Sequence, residues 1–262
     1  MQRVVVGGSP GLARHSLEFE WLGPAPAEAP TLVFLHEGLG CVAMWKGFPA
    51  AVAAATGCGA LVYSRAGYGG SDAVELPRPT RYMHDEAFGA LPEVLDATGV
   101  RDAILVGHSD GGSIALLYAG SGRAERVRAL VLEAPHVFVE DVSVVSIAEA
   151  KRAYESGDLR ARLLRYHGEN TDGAFWGWND VWLSDAFRAW NIEEALPRVR
   201  APALVLQGED DAYGTLAQVD AIVRQSGGRV ERRILPACGH SPHRDRPEET
   251  LDAIVRFVAS VR

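Results

Sequence analysis

The sequence predicts an α/β fold, with a mostly parallel central sheet and helices on both of its faces. Two observations carry this. Short apolar runs of strand length recur along the chain, among them TLVFL at 31–35, ALVYS at 60–64, AILV at 103–106 and ALVL at 203–206. Helix-like stretches separate most of them. Strands that alternate with helices pair in parallel, because each crossover carries the chain back to the same edge of the sheet. Continuous apolar character marks strands covered on both faces.

The chain opens differently, with two antiparallel strands expected at 3–6 and 16–21, the second alternating apolar and polar positions. Strand 31–35 ends in a Gly-rich turn and leads to a helix at 45–56, strand 60–64 and the Gly-rich loop 66–72. A helix at 83–98 follows, which Pro92 should interrupt or kink. Strand 103–106, a small-residue helix from 112 to 119, and strands 129–132, 203–206 and 230–235 complete the sheet. The last helix, 248–261, starts after Pro247 and places Leu251, Ile254, Val255 and Val258 on one face. Between His136 and Arg200 there is no strand run, only helix-like stretches and a cluster of large rings. A gap of about 65 residues is too long for a plain loop. The expected division is therefore an α/β core of residues 1–135 and 201–262, with a helical cap at 136–200.

A net charge of −8 argues against a nucleic-acid partner, which calls for a basic surface. No run of about 18 apolar residues predicts a membrane span, and the N-terminal VVV run is too short for the core of a secretory signal. Cys41, Cys58 and Cys238 are too few and too scattered for a disulfide framework or a zinc site. They fit free thiols in a cytoplasmic protein. Oligomeric state leaves no mark in the residues.

The strongest chemical signal is Gly107-His108-Ser109-Asp110-Gly111, directly after strand AILV and directly before a helix. A reversal this tight strains the central residue and exposes the serine Oγ at the carboxyl edge of the sheet, and glycines on either side leave room for it. A serine hydroxyl needs a base. The Gly-bounded loop after the last strand, Cys238-Gly239-His240-Ser241-Pro242-His243, offers His240, with His243 as competitor. That histidine pair lacks a surrounding metal-binding helix motif, so no metal is expected, and nothing in the residues indicates an organic cofactor. Three acids compete to orient the base: Asp211 and Asp210 after strand 203–206, and Glu133 after strand 129–132. An oxyanion would be met by the backbone N–H of Asp110 and by a donor in the turn His36-Glu37-Gly38-Leu39-Gly40.

Together these features resemble the α/β-hydrolase superfamily over nearly the whole chain. HEGLG resembles the family's oxyanion loop, GHSDG its nucleophile elbow, SRAGYGGSD its next Gly-rich loop and CGHSPH its histidine loop. The resemblance implies Ser109 as nucleophile, His240 as base, Asp211 as acid through a strand–G–x–x–D pattern, and Gly38, ahead of Leu39, as the second oxyanion donor. Two positions depart from the family pattern. Glu37 replaces the usual glycine, and Asp110 follows the serine where an apolar or amide side chain is common. Carboxylates facing an oxyanion would oppose it, so both are expected to turn away, towards Arg65 or another cation. Serine rather than aspartate at 109 disfavours branches that attack through a carboxylate.

The aromatic cluster at 175–190 suggests Trp176, Trp182 and Trp190 as substrate-lining residues, although aromatics also serve simply to pack a cap onto its core. Lys151, Arg152, Arg160, Arg162 and Arg165 read as a solvated helix face, with attraction of an anionic acyl-CoA as the alternative. The expected function is hydrolysis of a carboxylic ester or thioester of a small, largely apolar acyl substrate through an acyl-enzyme. The alternatives are a carbon–carbon bond hydrolase acting on a vinylogous diketone, and a non-catalytic binding protein on the same fold.

Overall fold

A computed structural model describes residues 1–7 and 13–261. Its centre is an eight-stranded sheet: β1 (Gln2–Val6), β2 (His15–Leu22), β3 (Thr31–Leu35), β4 (Gly59–Tyr63), β5 (Ala103–His108), β6 (Val127–Glu133), β7 (Ala203–Gly208) and β8 (Val230–Leu235). The order across the sheet is β1-β2-β4-β3-β5-β6-β7-β8. β2 pairs antiparallel with both β1 and β4, and every pairing from β4 to β8 is parallel.

Side chains alternate across this sheet into two apolar cores. Leu32, Phe34, Ile104, Val106, Leu204 and Leu206 face helices α1 (Phe48–Thr56) and, at the chain's end, α10 (Pro247–Ser260). Val33, Leu35, Leu105, Leu130 and Val205 face the other way, where α2 (Tyr82–Asp85), α3 (Leu91–Ala97), α4 (Asp110–Ala119) and later α8 (Leu216–Gln225) pack. Every residue of β3, β4 and β5 is buried, as continuous apolar runs require.

Local chemistry shifts several expected helix bounds. The predicted helix at 45–56 begins only at Phe48, because a short 3-10 turn (Val42–Trp45) breaks at Lys46, whose φ is +52°. The helix around Pro92 is divided: a π-turn over Glu86–Ala90 separates α2 from α3. Pro92, which has no N–H to give, then sits in the first turn of α3, where none is needed. On α10, Phe257 joins Ile254 and Val258 in the core while Val255 lies at the margin.

Between β6 and β7 come α5 (Asp141–Ser156), α6 (Leu159–His167) and α7 (Thr171–Leu183). The two ends of this insertion meet: Phe138 and Asn191 form an antiparallel bridge, and Ile192 N–H donates to Val137 C=O at 2.8 Å. A short helix α9 (Pro242–Asp245) follows the loop after β8. Among the described residues no helix is long and apolar enough to cross a membrane, and all three cysteines are buried.

Two glycines provide opposite tests of packing. A Cβ on Gly111 would lie 2.0 Å from the Leu35 carbonyl oxygen, a backbone atom that cannot yield, whereas one on Gly173 in α7 would meet nothing within 4 Å. Gly111→Ala is expected to destabilise by about 2–4 kcal/mol. Gly173→Ala should stabilise by up to about 1 kcal/mol in urea unfolding.

Candidate active site

Ser109 stands between β5 and α4 with φ +52° and ψ −116°, a backbone conformation costly for a residue with a Cβ. Its neighbours explain how the turn closes. A Cβ on Gly107 would come within 2.4 Å of the Gly111 carbonyl oxygen, so both flanking positions must be glycine. Ser109 N–H is held by Glu133 C=O at 2.8 Å. The N-terminus of α4 lies behind the serine and favours negative charge there.

Of the three candidate acids, Asp211 reaches His240: both carboxylate oxygens lie 2.9 Å from Nδ1. Asp211 also accepts from Gln207 Nε2 at 2.6 Å and Tyr213 N–H at 2.8 Å. Burial alone would raise its pKa, but the His240 hydrogen bond and the Tyr213 N–H hold it below the usual carboxylate value. An ionised carboxylate can only accept, so Nδ1 carries a proton, which makes Nε2 the acceptor in the neutral imidazole. Asp210 is exposed. Glu133, fully buried, serves His243 instead, accepting from its Nδ1 at 2.7 Å and its backbone N–H at 3.1 Å.

Ser109 and His240 line one cavity of about 370 Å³, together with Gly38, Leu39 and His136. The two unusual carboxylates part company. Asp110 turns fully inward: Tyr82 O–H donates to it at 2.6 Å and Arg65 Nη2 lies 3.8 Å away. Glu37 does not reach Arg65. Its carboxylate lies 3.5 Å from His108 Nδ1, with the side chain 21% exposed at the cavity wall. Arg65 takes the Glu37 carbonyl instead, at 2.9 Å. Burial opposes charge on Glu37, but His108 overrides it and keeps the carboxyl well below its ordinary pKa. His108 Nε2 in turn bonds the His240 carbonyl at 2.6 Å.

The tryptophans divide by helical phase. Trp178 and Trp182, four apart on α7, line the cavity. Trp176, which sequence reasoning placed at the substrate, sits two residues away on another face of α7. It packs against Phe175 and Tyr154 with Lys151 Nζ 5.4 Å above its ring. Trp190 is buried against Phe187 and behind Trp182, and contributes nothing to the cavity wall. Trp178 was missed, although its i, i+4 relation to Trp182 marked it. It lies against the turn after β3, its Nε1 only 2.2 Å from where a Gly38 Cβ would be.

A family model described as the alpha/beta hydrolase family matches residues 32–253. The chain belongs to that family. Solved structures agree on the fold of this family member. An esterase from Thermogutta terrifontis is 21% identical, covering 100% of this chain and 99% of that one at a TM-score of 0.72. The esterase RhEst1 from Rhodococcus sp. ECU1013 is 21% identical, with 100% of both chains covered and a TM-score of 0.74. The enol-lactonase from Burkholderia xenovorans LB400 is 20% identical, covering 98% and 100%, with a TM-score of 0.72. No curated protein matches the chain in sequence.

His136, on the cavity wall and 3% exposed, has its pKa pushed down to about 3 by burial and then by nearby His240. Its folded pKa lies below the unfolded value of 6.5, so between these limits the unfolded chain binds the extra proton and stability is lost as pH falls. The slope approaches about 1.4 kcal/mol per pH unit. Chemical unfolding from pH 6.5 down to pH 5 should show a shallower loss for His136→Phe than for the wild type. Equal slopes would contradict a neutral buried imidazole.

Proposed function

We propose that the chain is a serine hydrolase that cleaves a carboxylic ester or thioester through an acyl-enzyme. The observation that carries this reading is the Asp211 carboxylate on His240 Nδ1, with the imidazole and Ser109 on one cavity wall. His240 Nε2 takes the proton as Ser109 Oγ attacks the carbonyl carbon. The tetrahedral oxyanion is met by the backbone N–H groups of Asp110 and Gly38, the first at the positive end of α4. His240 then gives its proton to the leaving oxygen or sulfur. Water, deprotonated by the same nitrogen, releases the acid and restores the serine.

Residues 136–200 act as a cap in this scheme, with Trp178 and Trp182 forming the roof of the acyl pocket. Esterase and lactonase neighbours of the same fold support acyl transfer as the chemistry. Three cysteines, too few and too scattered for a disulfide framework, suit a cytoplasmic enzyme.

Burst and steady-state release from p-nitrophenyl esters of rising acyl length tests the reading. Ser109→Ala should lower kcat by about 10⁴–10⁶, and Asp211→Asn by about 10³–10⁴ at neutral pH through the wrong imidazole tautomer. A Ser109→Ala protein that keeps wild-type turnover would sink the mechanism.

A further inference from the structure

The cavity mouth has the opposite sign to the molecule as a whole. The chain carries 34 acidic and 26 basic residues. Yet the cavity is lined by Lys46, Arg162, Arg165 and Arg244 against a single carboxylate, Glu37, which already faces His108. These cations arrive from three separate segments: the turn before α1, helix α6, and helix α9. A solvated helix face accounts for Arg162 and Arg165 alone; it does not bring Lys46 and Arg244 to the same opening.

Counter-charges are missing where they would be expected. Among the described residues no carboxylate lies within 4.0 Å of Lys46, Arg165 or Arg244. Of the four, only Arg162 has one, the exposed Asp158 at 3.6 Å. Lys46 is moreover held at φ +52° and ψ −134°, a region that disfavours any side chain. Like charges gathered at one opening repel each other, and a low-dielectric cleft focuses their field. Such an arrangement is costly when empty and favourable with an anion.

We propose that this cavity takes acyl substrates that carry an anionic group, received at the mouth by Lys46, Arg165 and Arg244. The acyl chain then lies between Ile147, Leu163 and Trp178. The anion is either a carboxylate on the acyl half or the phosphates of a leaving group such as coenzyme A. The proposal rests on the hydrolase reading for the bond that is cleaved, but not for the recognition itself.

Binding to the Ser109→Ala protein tests recognition without turnover. Calorimetry would compare butyryl-CoA with S-butyryl-N-acetylcysteamine, and monoethyl adipate with ethyl hexanoate. Within each pair the neutral ligand lacks the anion. At least one anionic ligand should bind about tenfold or more tightly than its neutral partner, a gain that three exposed charge contacts can supply. That advantage should shrink in about 0.5 M NaCl and in a Lys46→Gln/Arg165→Gln/Arg244→Gln background, whose three side chains are exposed. The pair that shows it tells which half of the substrate bears the charge. Equal affinities within both pairs, or an advantage that survives salt and the triple substitution, would overturn the proposal. The two readings fail separately. Wild-type protein that shows the charge preference but hydrolyses none of the four ligands removes the hydrolase reading alone. Turnover through Ser109 without a charge preference removes anion recognition alone.

Discussion

The buried guanidinium of Arg65, just past the end of β4, ties together the turns on which the site depends. It is 1% exposed, and a charge removed from water costs several kcal/mol unless its partners are well placed. Arg65 donates to the Glu37 carbonyl in the turn after β3 and lies 3.8 Å from the Asp110 carboxylate after β5, with its guanidinium 4.9 Å above the Tyr68 ring. Three adjacent strand ends are thereby fixed relative to one another. Tyr82 extends the link, donating to Asp110 and accepting from Trp182 Nε1 at 3.0 Å. The helical insertion is thus hydrogen-bonded, through two side chains, to the residue after Ser109.

Two histidine–carboxylate pairs sit side by side, and their surroundings assign them different work. His243 and Glu133 are closed in, with the imidazole against Trp45 and Phe48 at ring distances of 4.7 and 5.5 Å. That pair anchors α9 to the end of β6. His240 and Asp211 form the outer pair, with the imidazole 17% exposed and facing the cavity. His108 joins the two regions by holding the His240 carbonyl.

What could be read from the sequence was whatever is decided locally. Gly107 and Gly111 flag a strained turn because the clash that requires them lies within the turn or with the adjoining strand. The strands were equally plain, since burial on both faces leaves an unbroken apolar run. Choosing among Asp211, Asp210 and Glu133 was a different problem. Each follows a strand, and only the path of the loops after β7 and β8 determines which imidazole each one meets. Trp176 and Trp190 were drawn to the cavity by composition, whereas the phase of α7 and the packing of Phe187 determine which rings face inward. Glu37 was expected to find a cation; that its carboxylate would face the His108 imidazole instead depends on a side chain from another strand end.

The helical insertion leaves and rejoins the sheet through one narrow stem, where Phe138 bridges Asn191 and Val137 holds Ile192. A stem closed by its own backbone hydrogen bonds isolates what lies beyond it from the register of β6 and β7. In evolutionary terms the insertion is an interchangeable module: helices can be lengthened, replaced or recombined above the stem while the strand ends below stay in place. The insertion and the sheet can therefore diverge at different rates within a single chain, and a transplanted module would have to be refitted where Trp182 meets Tyr82, where His167 meets Gly69 and Leu39, and where Asn170 meets Ser71.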